Sequence, residues 1–409
     1  IPGSSVRESR SAAPRRRRPP AHACPGDAAR ERSNRIMTKP TLRRSRMFAS
    51  LLLALVVAVP AALGAQQPAQ EQAPAKTFTD VKVLPATPVK DQASTGTCWD
   101  FSTLSMLESE LLRMGKGAYD LSEMFVVDHV YREKADEYYR MHGNNTFGPG
   151  GLSHDVLTAI ARYGIVRQSD FTGLWPYETR YDHGELHRVL QADLDAVLRS
   201  RPGPSPKWSA GFDALLDTYL GPLPDTIRVD GRAETPRQFA DQLGINPSDY
   251  VEITSFTNMP LWRQGALETP DNWAHNDKTW NVPLDDAMRV LRHAIESGYT
   301  VAIGADVSER SFDQKAGYAT WNEGETITPE ARQEGWDRWT TTDDHGMHVV
   351  GIARDEQGTT YYKVKNSWGD VGPYHGYIYM SENYIRAKFD MLMLNKAALP
   401  QDIRARLGI

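Results

Sequence analysis

The sequence predicts an α+β protein built as two unlike lobes, because segments of helical period come first and segments of strand character come last. Apolar residues recur at spacings of three and four in the stretch that begins at Cys98. From residue 251 onward, short apolar runs are bounded by Gly, Asp and Asn. No internal repeat relates the two halves. At 409 residues, the chain has room for two to three domains of about 150 residues.

The elements follow in order. Residues 77–89 read as extended, since Pro85 and Pro88 bar a helix. A helix is expected from Cys98, with Thr97 as N-cap, Leu104, Leu107, Leu111 and Met114 on one face, and Gly115 and Gly117 stopping it. A second helix over 122–141 ends before Gly143, and a third over 153–163 ends at Gly164. Residues 180–250 read as mainly helical, broken by prolines at 202–206 and 222–224. Strands are expected over 299–305, 345–353, 359–366 and 376–380, and 401–407 reads as a closing helix. The implied division is a lead-in (66–85), a helical lobe with an insertion (86–250) and a β-rich lobe with a short C-terminal tail (251–409).

The first 65 residues stand apart. Residues 1–46 hold 13 Lys and Arg against three acids and read as a disordered basic leader, with a better start at Met37. Residues 47–65 carry no charge and hold an apolar run ending in Gly64 and Ala65. Basic stretch, apolar core and small residues are the layout of a signal peptide cleaved near Ala65, so export to the periplasm or beyond is expected. The apolar core is too short for a stable membrane span. The remaining chain is acidic, with 34 basic and 49 acidic residues, which argues against nucleic acid as a partner.

Of the two cysteines, cleavage would remove Cys24 and leave Cys98. Cys98 falls on the first turn of its predicted helix, where free N–H groups and the helix dipole favour a thiolate. A thiolate nucleophile needs an imidazole, and the imidazole needs an orienting group. In a hairpin whose turn is 355–358, pairing 354 with 359 would set Met347 opposite Asn366. His345 and Asn366 then become diagonal neighbours on one face, and His348 points to the other. That split also argues against a zinc site at His345 and His348. No metal or cofactor is called for.

The segments around Gln92 and Cys98-Trp99-Asp100-Phe101-Ser102, Gly150-Gly151, Tyr163-Gly164-Ile165, Trp175-Pro176-Tyr177-Glu178, Asp344-His345 and Asn366-Ser367-Trp368-Gly369 resemble, in order, those of papain-like cysteine peptidases. The resemblance implies the papain-like two-lobed fold, with Cys98 as nucleophile, His345 as acid and base, and Asn366 as its orienter. It implies Gln92 as an oxyanion donor, Trp368 as a shield for Asn366, and Gly150 and Gly151 as the place where a substrate backbone lies close. Cys98 and His345 are 247 residues apart, against about 130–150 in papain-type enzymes. With the matches at 121–125, 253–257 and 298–302, this is similar to the bleomycin hydrolase and aminopeptidase C branch. That branch implies peptide substrates, an aminopeptidase mode and a homo-oligomer. It also implies a C-terminal arm entering the cleft, whereas the tail here reads as short. A papain-type endopeptidase, an acyl transferase and a catalytically silent binding protein on the same fold are the alternatives.

Overall fold

The computed structural model describes residues 76–409. The expected basic leader, the expected signal peptide and Cys24 lie outside the described residues. Along the chain come β1 (Phe78–Val83), α1 (Cys98–Arg113), α2 (Glu123–Arg140), α3 (Ser153–Tyr163), α4 (Gly184–Leu198) and α5 (Trp208–Leu220). A small hairpin of β2 (Ile227–Val229) and β3 (Arg232–Glu234) follows, then α6 (Pro236–Leu243). Next are β4 (Tyr250–Thr254), β5 (Arg263–Gly265), β6 (Thr279–Asn281), α7 (Leu284–Glu296), β7 (Val301–Ala305), β8 (Phe312–Asp313), β9 (Tyr318–Ala319) and α8 (Pro329–Asp337). The chain continues through β10 (His345–Asp355), β11 (Thr360–Lys365), β12 (Tyr377–Ser381), α9 (Glu382–Lys388), β13 (Phe389–Asn395) and α10 (Gln401–Leu407).

The fold is α+β, as expected. Its main sheet runs β5-β6-β4-β13-β7-β10-β11-β12-β9-β8 and is antiparallel except at β4/β6 and β9/β12. The lead-in contributes to this sheet, because β1 pairs antiparallel with the far half of β10. Two apolar cores result. One gathers α1 to α6 around Leu104, Phe125, Tyr131 and Phe212. The other lies between the sheet and α7, around Leu291, Ile303, Met347 and Leu392.

Helix α1 departs from the amphipathic reading. Every residue from Trp99 to Leu111 is buried, because the helix is enclosed by α2 and α3 on one side and β7 and β10 on the other. A helix buried all round must satisfy its polar side chains internally. Glu108 accordingly takes Lys90 Nζ (3.2 Å) and the Leu121 N–H (2.9 Å). Met114, expected on the buried face, stands outside the helix and is exposed.

The hairpin register departs from expectation at its tip. Arg354 pairs with Thr360, not with residue 359, and Gly351 with Lys363. A slip between Val349 and Gly351 then shifts the ladder by one, so that Val349 faces Val364 and His348 faces Lys365. Such a slip is a β-bulge, one extra residue on one strand. It restores the expected alignment at the catalytic end.

Candidate active site

The site forms where the start of α1 abuts the start of β10. The two approach so closely that a Cβ on Gly346 would meet Ser102 Oγ at 2.7 Å and the Cys98 carbonyl oxygen at 3.0 Å. Only glycine allows that contact. Cys98 is half-buried and opens onto a cleft of about 320 Å³, also lined by Gln92, Trp99, Gly150, Gly151 and His345.

Thr97 does not cap α1 with its side chain, contrary to the sequence expectation. Its hydroxyl meets that of Thr95 at 2.7 Å, while its carbonyl accepts from the N–H of Asp100 and of Phe101. No capping hydroxyl therefore competes for the first N–H groups of α1, and the Trp99 and Gly346 backbone N–H groups both favour charge on the Cys98 sulfur. Burial works against them. It pushes the thiol up to about 12, with Asp343 and Asp271 adding to the shift. The helix start therefore acts on the thiol together with His345, as expected from the sequence, and against burial. Asp100, two residues after Cys98, lies in a fully buried setting near Lys90 and Glu123, where burial raises its carboxyl.

His345 donates from Nε2 to Asn366 Oδ1 at 2.7 Å. Asn366 is held on both sides: its Oδ1 also accepts from the Ser367 N–H (2.8 Å), and its Nδ2 donates to Gln314 Oε1 (3.0 Å). Trp368 covers this pair, its ring centroid 4.7 Å from that of His345. Burial holds the imidazole down to about 4, with Asn366 opposing the shift. A lone thiolate and a lone imidazolium are both disfavoured in this cleft. Proton transfer from sulfur to nitrogen makes two opposite charges together, which a poorly solvated site tolerates far better than either alone.

Gln92 is oriented from across the chain. Its N–H donates to the Ser367 carbonyl (2.8 Å), and its Oε1 accepts from Ser367 Oγ (2.6 Å). With Oε1 occupied, Nε2 is the amide atom free to donate in the cleft.

Gly150 and Gly151 both line the cleft, but their missing Cβ atoms serve other neighbours. A Cβ on Gly150 would collide with the Asp271 carboxylate, and one on Gly151 would press on the Trp99 ring and Asp155. Lys134 of α2, buried, donates to the carbonyls of Gly148 and Gly150 and clamps this loop. His348 points away from the cleft, with Nδ1 2.9 Å from Ser105 Oγ and burial holding the ring neutral.

Four contributors were invisible from sequence: Gln314, Lys134, Asp271 and the Ser367 hydroxyl. Gln314 and Lys134 reach the site over 52 and 16 residues without any shared period. Ser367 was quoted only as part of a motif. Among the described residues, no group of three or more His, Cys, Asp or Glu is arranged to hold a metal ion, and no helix is long and apolar enough to cross a membrane.

Gln314 makes a separable prediction. Gln314→Ala frees the Asn366 amide without touching the reacting atoms, so kcat should fall about tenfold with KM little changed, as for lost orientation. Steady-state kinetics on one peptide substrate would decide it. An unchanged kcat would show that Asn366 is held without Gln314.

The chain is similar to known proteins over most of the described residues. Residues 76–198 match the papain family cysteine protease model, and residues 229–408 match the peptidase C1-like family model. Aminopeptidase G of Lactobacillus delbrueckii subsp. lactis is 22% identical over 371 residues, covering 78% of this chain and 83% of that protein. Aminopeptidase C of the same organism is 25% identical over 371 residues, covering 77% and 81%. The crystal structure of PepW from Lactobacillus rhamnosis superposes with a TM-score of 0.68 at 22% identity, covering 82% of this chain and 85% of that one. At that identity, the superposition speaks for the fold.

Proposed function

The chain is a papain-like cysteine peptidase of the aminopeptidase C branch, and on that premise we propose that Cys98, His345, Asn366 and Gln92 carry its chemistry on peptide substrates. The observation that supports this most is the 2.7 Å bond from His345 Nε2 to Asn366 Oδ1. It leaves Nδ1 as the ring nitrogen available to the thiol on the cleft wall. His345 takes the Cys98 proton, and the thiolate attacks the scissile carbonyl. The oxyanion is received by the Gln92 side-chain amide and the Cys98 backbone N–H. The imidazolium protonates the leaving amine, and the C–N bond breaks to leave a thioester. Water, deprotonated by His345, then attacks the thioester and restores the thiol.

The mode of attack is read as removal of residues from a free N-terminus. The test is a peptide offered with a free and with a blocked N-terminus, with products mapped by mass. Stepwise release from the free form is expected. Internal cuts in the blocked form at equal rate would favour the endopeptidase instead. The reading also includes export after cleavage near Ala65, supported by the layout of residues 37–65. It further includes a homo-oligomer, which the branch resemblance supports and sedimentation would measure.

A further inference from the structure

The cleft ends at a wall that carries negative charge. The wall is the 266–278 connection between β5 and β6, and it is built rather than loose. Trp273 Nε1 donates to Asp155 Oδ2 at 2.9 Å, the Trp273 carbonyl accepts from Asn145 Nδ2 at 2.9 Å, and Thr269 Oγ1 donates to Asp343 Oδ2 at 3.0 Å. The pinned loop lays the Asp271 carboxylate against Gly150, in the space a Cβ there would need. An extended peptide lying along Gly150 would therefore run beside the Asp271 carboxylate.

Asp271 is held ready for a cation. Among the described residues, no side chain donates a hydrogen bond to it or pairs with it, and Lys134 acts on it only through space. Asp343 lines the same cleft, and both carboxylates act electrostatically on Cys98. Behind Asp343 stands Asp390, fully buried, its carboxyl hydrogen-bonded to that of Asp343 and to no other side chain among the described residues. Its Oδ1 fills the space beside Gly304, itself a lining residue of the cleft. Arg332 acts on Asp390 through space without donating to it. Two buried carboxyls in contact share one proton, which leaves the pair a single negative charge facing the cleft through Asp343. Burial and mutual repulsion raise the carboxyls of Asp343 and Asp390, and Asp271 contributes to the shift at Asp343.

We infer that Asp271 and Asp343 receive the α-ammonium group of the substrate, with Asp390 backing Asp343, so that the cleft itself measures a short distance from a free N-terminus to the scissile bond. This assignment rests on the aminopeptidase reading above and adds the residues that enforce it. Helix α10 and Ile409 lie away from these carboxylates. Ile409 lines a separate cavity with His154, Glu252 and Lys396, and α10 is tied to α7 through Asp402 and Arg289 at 2.9 Å.

The experiment compares kcat/KM for alanyl and N-acetylalanyl anilides in the intact enzyme and in Asp271→Asn, Asp271→Glu and Asp343→Asn. Stoichiometric alkylation of Cys98 confirms that each variant is folded. The intact enzyme should prefer the free amine. Asp271→Asn should cut that preference at least tenfold, through a higher KM on the free-amine substrate, and Asp271→Glu should restore much of it. Should the preference survive intact in folded Asp271→Asn and Asp343→Asn, the assignment is overturned while the aminopeptidase reading stands. Should the intact enzyme show no preference, the aminopeptidase reading itself falls and the assignment with it. N-acetyl-lysyl anilide serves as the last arm. If it is preferred over N-acetylalanyl anilide, and that preference is what Asp271→Asn removes, the carboxylates read a side-chain cation and the α-amine assignment is overturned.

Discussion

Cys98→Ala and His345→Ala are each expected to lower kcat by about 10⁴-fold or more, and combining them should cost little beyond either alone, because the two act as one unit. Each removes one half of a proton exchange that the cleft cannot complete otherwise. The pair also sets a pH signature. Catalysis needs a neutral imidazole as base, so activity is lost when acid protonates it. Because burial holds His345 down to about 4, the acid limb of kcat/KM for a blocked substrate should fall near pH 4 rather than near the ordinary imidazole value of about 6.5. In His345→Ala the thiol stands alone in a buried, acid-lined cleft. Iodoacetamide labelling there should titrate well above the free cysteine value of about 8.5. Labelling of that variant at or below the ordinary value would show that the helix start alone ionises Cys98 and that the proton-exchange account is wrong.

Gln92→Ala is expected to lower kcat by about 10²–10³-fold with a modest change in KM, the usual loss for one oxyanion donor. The Ser367 hydroxyl makes the prediction sharper. It occupies Gln92 Oε1 at 2.6 Å, and so decides which end of the amide faces the substrate. Ser367→Ala leaves the donor present but free to rotate, so it should lose a smaller part of the same factor. Gln92→Glu replaces the donor with an acceptor facing a developing negative charge and should be at least as damaging as alanine. If Gln92→Ala kept more than a third of the turnover, the amide would have no share in the oxyanion.

The parts of the fold legible in the sequence were those governed by local rules. Helix α3 begins and ends where Gly164 and the apolar spacing place it, and α10 follows the 401–407 reading. The His345–Asn366 contact is read from strand alternation, and it holds because the bulge between Val349 and Gly351 offsets the difference in register at the turn. Other features have no local cause. The two- and three-residue strands β5, β6, β8 and β9 exist because a neighbouring strand recruits them, and so short a segment has no pattern to read. The β2–β3 hairpin sits in a stretch that reads as helical. Gln314, Lys134 and Asp271 are ordinary polar residues in the sequence. They matter because the chain returns to Asn366 and to Gly150 from elsewhere. Thr97 shows the reverse case, a good capping residue whose hydroxyl is claimed by Thr95.

The bulge between Val349 and Gly351 acts as mechanical insulation. On its outer side the ladder counts from the turn, and β1 seals that half of β10 as a clamp. On its inner side the count is reset against β7, where His345 faces Ala305, while Asn366 is gripped by Gln314. Errors of length or twist arising at the hairpin tip therefore dissipate at one residue. The catalytic pair takes its spacing from the sheet's interior and not from the turn that joins its two strands.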